Sequence, residues 1–218
     1  MTQTALKHST SRSLRLLFAV AAVVVAFAVL TPSASAGILV KSAGNCGTQN
    51  LERPFLRWLD PAQYTLLPGG TFESTLPGWT LSGAHVVSGN EPYYVHGKNE
   101  KKSLSIPSDS KATSAVICVG LGHPTMRFFA KSSGGTVLST LKVDVLFELA
   151  TGQVVTLPIG VALAGAHRSW QPTLPMTVVA NLLPLLPGAR TPVAFRFTPV
   201  GAASWTIDDV YVDPRKRS

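Results

Sequence analysis

Residues 141–149 read LKVDVLFEL. Leu141, Val143, Val145, Phe147 and Leu149 share one side of an extended chain, and Lys142, Asp144 and Glu148 share the other, with Leu146 the exception. Successive side chains of a strand point to opposite faces, so this period of two marks a β-strand with one apolar and one wet face. Thr151-Gly152 follows, then QVVTLPIG (153–160), and the order predicts a hairpin closed by a glycine-containing turn.

The same pattern recurs on both sides. WTLSGAHVV (79–87), YYVH (93–96), KSLSIP (102–107), ATSAVICVG (112–120) and TMRFFAKS (125–132) precede it, and QPTLPMTVVA (171–180), PVAFRFTPV (192–200) and SWTIDDVYVD (204–213) follow. Short apolar or alternating runs separated by Gly, Pro, Ser and Asn, without strand–helix alternation, predict an all-β fold. Eight to ten short strands of this kind make an antiparallel β-sandwich or jelly roll. Trp79 and Trp205 read as core. LERPFLRWLD (51–60) places Leu51, Phe55 and Trp58 at helical spacing, which predicts a short helix over one end of the sandwich. VVANLLPLLPG (178–188) is apolar, but Pro184 and Pro187 exclude a long helix or a central strand. It reads as a buried loop or as an exposed docking patch over 181–188 for a protein partner.

Lys7, Arg12 and Arg15 precede an apolar run from Leu16 to Leu30, and Ser33-Ala34-Ser35-Ala36 follows. That order describes a signal peptide, residues 1–36, cleaved after Ala36, so the expected product is secreted and has no membrane span after cleavage. Residues 37–66 form an extension, 67–213 the sandwich and 214–218 a basic tail. Without the leader, 16 basic residues stand against 11 acidic ones. No basic stripe interleaved with aromatics remains, which argues against a nucleic-acid partner. Cys46 and Cys118 are the two cysteines. In an exported chain an even pair suggests a disulfide, the alternative being two separate buried thiols.

Two awkward placements bear on function. In LPGGTFESTLPGWTLSG (67–83), Glu73 directly follows Phe72, an aromatic that should enter a core. In WTIDDVYV (205–212), Trp205 and Ile207 have one parity and Val210 and Val212 the other, so the apolar phase changes across Asp208-Asp209. Either a bulge sits there, or one aspartate turns inward and needs a partner. A shared cation bound by hard oxygens would supply that partner, and Ca²⁺ takes about six to eight of them. Lysine or arginine pairing, or simple solvation, are the plain alternatives.

GGTFES…PGWTLSG followed by WTIDDVYVDP resembles the first and last strands of galactose-binding-domain-like jelly rolls. It is similar in particular to the carbohydrate-binding modules of secreted bacterial polysaccharide hydrolases. The resemblance implies a structural Ca²⁺ between the two strands, with Glu73, Asp209 and Asp208 as ligands. It also implies a glycan or polysaccharide partner. Pyranose rings stack on exposed aromatics. The candidates outside the alternating core sets are Tyr93, Tyr94 and Trp170, with Trp58 a further one. Glu91, His96, Asn90 and Arg168 are the polar groups beside them. A hydrolase would need a positioned acid–base pair or a nucleophile, and no such motif can be read. The expected activity is therefore non-catalytic binding. The alternative is an extracellular or cell-surface protein that contacts other proteins.

Overall fold

The computed structural model describes residues 49–120, 124–149, 151–178 and 190–214. The leader, Cys46, the 181–188 segment and the end of the basic tail lie outside them. The strands are β1 (Thr65–Leu66), β2 (Thr80–Ser82), β3 (His85–Ser88), β4 (Lys102–Ile106), β5 (Lys111–Thr113), β6 (Ile117–Gly120) and β7 (Thr125–Ser133). They continue as β8 (Thr140–Glu148), β9 (Val154–Leu163), β10 (Gln171–Pro172), β11 (Met176–Thr177), β12 (Arg190–Val200) and β13 (Ser204–Asp213). One sheet runs β10-β7-β13-β4-β3, with β1 also on β13 and β11 also on β7. The other runs β2-β5-β12-β8-β9, with β6 also on β12. Every pair of named strands is antiparallel. The fold is an antiparallel β-sandwich.

The two sheets bury their facing sides against each other. Met126, Phe128 and Ala130 of β7 and Trp205, Ile207, Val210 and Val212 of β13 line one inner face. Val143 and Val145 of β8 and Val193, Phe195 and Phe197 of β12 line the other. Phe128 meets Phe197 edge-on across the interior at 5.3 Å, and Trp79 stacks on Phe197 at 6.2 Å. Such aromatic pairs add about 0.5–1.5 kcal/mol to what their burial contributes.

Three expectations are corrected. The 79–87 and 112–120 runs are not single strands: β2 and β3 lie in different sheets, joined through Gly83 at φ 77°, and β5 and β6 are separated by Ser114. Ser114 N–H donates to Phe195 O, and Phe195 N–H donates to Ser114 Oγ, which interrupts the edge between β5 and β6. The polar side of β8 is not wet, because Asp144 and Glu148 are buried on a central strand and Lys142 Nζ lies 3.0 Å from Asp144 Oδ2. The helix over 51–60 shrinks to a 3-10 turn at Leu56–Trp58, ended by Leu59 in the left-handed region. The β8–β9 hairpin forms as predicted, with Gly152 at φ 81° in its turn.

A second, smaller cluster lies on the outer side of the β7–β13 sheet. Phe55 and Tyr64 from the amino-terminal segment close over Phe129 and Tyr211, with Trp58, Tyr93 and Trp170 packed around them. Beneath it Arg127 Nη1 donates to Asp60 Oδ2 at 2.7 Å, and Tyr64 Oη donates to the same oxygen at 2.7 Å. The Arg127 guanidinium also sits 4.3 Å from the Phe55 ring centre.

Candidate functional site

The apolar phase change in β13 is a bulge. Along one edge β13 pairs with β4 over Trp205–Ile207 and with β1 over Tyr211–Val212. Along the other edge the register with β7 breaks between Asp208 and Tyr211. The extra residue is Asp209, at φ 47°, and it lets both Ile207 and Val210 face the core. Backbone from the opening stretch fills the gap: Leu67 N–H donates to Val210 O and Val210 N–H donates to Gly70 O. A Cβ on Gly70 would lie 2.9 Å from Val210 O, so only glycine permits that approach. The two quoted motifs therefore meet.

Phe72 resolves the other awkward placement. At φ 58° it turns its ring fully inside, edge-on to Trp79 at 5.1 Å, and Glu73 then faces the start of β4. Glu73 Oε1 accepts the Lys101 and Lys102 N–H groups, each at 2.6 Å, and Lys102 Nζ donates to Glu73 O. Its carboxylate closes the start of β4.

The acids that do gather at the bulge come from the 90–100 loop. Asp208 is fully buried, and its Oδ2 accepts Glu91 N–H at 3.0 Å while Oδ1 accepts Asp209 N–H at 2.9 Å. Glu91 is also fully buried, which removes it from the surface role expected of it. Its two oxygens accept Tyr93 N–H and Val95 N–H and so curl the loop. With Tyr94 at φ 53°, this is why YYVH is a turn and not a strand. Glu100 Oε1 binds His96 Nδ1 at 2.6 Å. Burial pushes Asp208 up to about 9, helped by the charge of Asp209. Burial likewise raises Asp209 to about 8, helped by Glu100 and Glu91. Glu91 is raised for the same reason, against the N–H groups that it holds.

Glu100 Oε2 and Asn90 Oδ1 are buried without a hydrogen-bond partner, and the buried Asp209 carboxylate is met by the His96 N–H. Orphaned buried oxygens of this kind are the hard donors a Ca²⁺ ion takes. Among the described residues no three His, Cys, Asp or Glu side chains converge closely enough to hold a metal by themselves. An ion here would draw on the Asp209 and Glu100 carboxylates and would need amide, backbone or water oxygens for most of its shell. Asp208, its oxygens already given to N–H groups, fits less well than expected.

Near these acids the expected aromatics partly converge. Tyr93 packs edge-on to Trp58 at 5.0 Å, and its Oη donates to Trp170 O at 3.0 Å. Tyr94 is half exposed and His96 is exposed, both on the same loop. Arg168 is instead tied to Gly134 O and Gly135 O. Strand register adds residues that sequence reasoning missed. His85 lies opposite Ser105, Ser105 opposite Thr206, and Thr206 opposite Lys131. All four sit at outward positions and keep some exposure, and Lys131 Nζ lies 5.4 Å from the Trp170 ring centre. The next rung, Val87, Ser103, Asp208 and Phe129, is roofed by the loop. The signal for Lys131 was present in TMRFFAKS, where Arg127, Phe129 and Lys131 alternate onto one face.

No family model matches the chain, and no curated protein matches it. Among solved structures, the chain is similar to the CBM22-1–GH10 modules of a Clostridium thermocellum endo-1,4-β-D-xylanase complexed with xylohexaose, at 16% identity and a TM-score of 0.45. That match covers 68% of this chain and 28% of the xylanase chain, so the chain spans little more than a quarter of the enzyme. It is also similar to TmCBM61 in complex with β-1,4-galactotriose, at 15% identity and a TM-score of 0.42, covering 69% of this chain and 98% of that one. A putative sugar binding protein from Bacteroides thetaiotaomicron matches at 8% identity and a TM-score of 0.45, covering 69% and 99%. Carbohydrate-binding modules are thus among the proteins that the chain resembles, and the likeness is one of fold.

Proposed function

We propose that this is a secreted, non-catalytic glycan-binding protein whose binding face is the outer side of the β7–β13 sheet. The observation that carries the reading is the convergence of Trp58, Tyr93 and Trp170 beside the open polar rung of His85, Ser105, Thr206 and Lys131. Aromatic edges and faces match the C–H surface of a pyranose, and hydroxyl, imidazole and ammonium groups match its hydroxyls. The carboxylates nearest this face, Glu91 and Asp208, hold backbone N–H groups. Glycoside cleavage would instead need two carboxyl groups free to face one bond. A calcium ion, held by Asp209 and Glu100 with Asn90, would supply the positive charge that keeps the loop beneath Tyr93 folded.

Affinity electrophoresis through gels containing plant and microbial polysaccharides tests the reading. Retardation in at least one polymer is expected, relieved by Trp170→Ala or Tyr93→Ala variants that still melt cooperatively. Unretarded migration in every polymer would overturn it.

A further inference from the structure

Resting on that reading, we infer that the glycan is anionic, carrying carboxylates or sulfates that pair with Arg57 at one end of the aromatic cluster and with Lys131 at the other. The Arg57 guanidinium lies 5.2 Å from the Tyr93 ring centre and 5.6 Å from that of Trp58, and Arg57 is exposed. Lys131 Nζ sits over Trp170 at the other end of the same aromatic cluster, and the Tyr93–Trp170 hydrogen bond joins the two ends. Among the described residues neither cation has a hydrogen bond or an ion pair. Neighbouring basic groups are spent otherwise: Arg127 on Asp60 and Thr173 O, Arg168 on Gly134 O, Lys102 on Glu73 O.

A cation resting on a ring is positioned without being neutralised. The ring takes the flat side of a guanidinium and leaves its N–H fork free for a planar or tetrahedral oxyanion. The same geometry favours an anionic sugar over a neutral one, because the anionic sugar gains an ion pair with the cation where it lies and the neutral sugar does not. Glu91, Asp208 and Asp209 beneath this face are fully buried, and among the described residues the exposed Glu52 makes no ion pair with Arg57 or Lys131.

The test compares matched polymers: polygalacturonate with its methyl ester, and dextran sulfate with dextran, at low and moderate salt. Retention of the charged member should exceed that of its neutral twin by about tenfold or more at low salt and weaken as salt screens the pair. Polygalacturonate alone retained identifies a carboxylate, and dextran sulfate alone a sulfate. Arg57→Gln with Lys131→Met should abolish the preference while leaving the melting temperature unchanged, and Lys111→Met, on the other sheet, should not. Equal retention of charged and neutral twins, or an equal loss with Lys111→Met, overturns the ion pairing while the glycan reading stands. No retention of any polymer, charged or neutral, overturns both.

Discussion

Asp60 is the residue on which the amino-terminal segment turns. Its carboxylate is buried, which raises its pKa, but hydrogen bonds from Tyr64 and Arg127 outweigh that and hold it below the ordinary value. Arg127 is itself buried, so removing its partner would leave an uncompensated charge under Phe55. Breaking such a pair costs about 3–5 kcal/mol. Asp60→Ala is therefore expected to lower the unfolding free energy measured in urea by that amount, while replacing both partners with apolar residues should cost less. The sign in acid follows from the depressed value. The unfolded carboxyl takes up its proton near its ordinary value of 3.8 and the folded one only at lower pH, so this stability is present above about 4 and is lost as pH falls. Urea titrations at pH 7 and pH 3 check both statements, and a variant as stable as wild type at pH 7 would refute the pairing.

The 90–100 loop is an element whose shape is set by buried acids and not by propensity. Asp208 holds Glu91 N–H, and Glu91 holds Tyr93 and Val95 N–H groups, so the tyrosine of the proposed face hangs from β13. If Asp209 and Glu100 take calcium, the ion at about 100 times its Kd would stabilise the fold by about 2.7 kcal/mol. For a domain of this size that is a rise of about 5–10 °C in Tm. Chelation should remove the rise, and Asp209→Asn should show none and melt no lower than chelated wild type, since burial already disfavours the charged Asp209 carboxylate when no ion is bound. A chelator that leaves the Tm of wild type unchanged would exclude the ion. Sequence patterns reached some of this and missed the rest for a definite reason. Period two in 141–149 and 192–200, the phase change at Asp208-Asp209 and the surplus aromatics Tyr93 and Trp170 are local, and all were legible. Nothing local shows that the N–H groups of Lys101 and Lys102, 28 and 29 residues away, would meet Glu73. Glu91, Asp144 and Glu148 were read as surface acids because alternation tells two faces apart without telling which faces are covered. Arg57 and Lys131 join one face only through tertiary structure, Tyr93 packing on Trp58 and donating to Trp170 O.

At the scale of the molecule, the question is what ties the amino-terminal segment to the sheet that does not carry the proposed face. Residues 51–66 pack on the β7–β13 sheet, but Gln49 Nε2 donates at 2.7 Å to the carbonyl of Cys118, which is buried on β6 in the opposite sheet. Cys46 lies three residues before Gln49, a distance of at most about 10 Å of chain. That proximity supports a bridge between Cys46 and Cys118, which would staple both sheets through one segment and close a loop of 72 positions. In the chain-entropy model such a closure stabilises by about 4 kcal/mol. Thiol titration of the unfolded, unreduced protein should find no free thiol. Reduction should then shift the urea midpoint downward without changing which polymers retain the folded protein, because the face lies on the other sheet. Two free thiols before reduction would refute the bridge. A midpoint unmoved by reduction would mean instead that burial alone holds β6 in place.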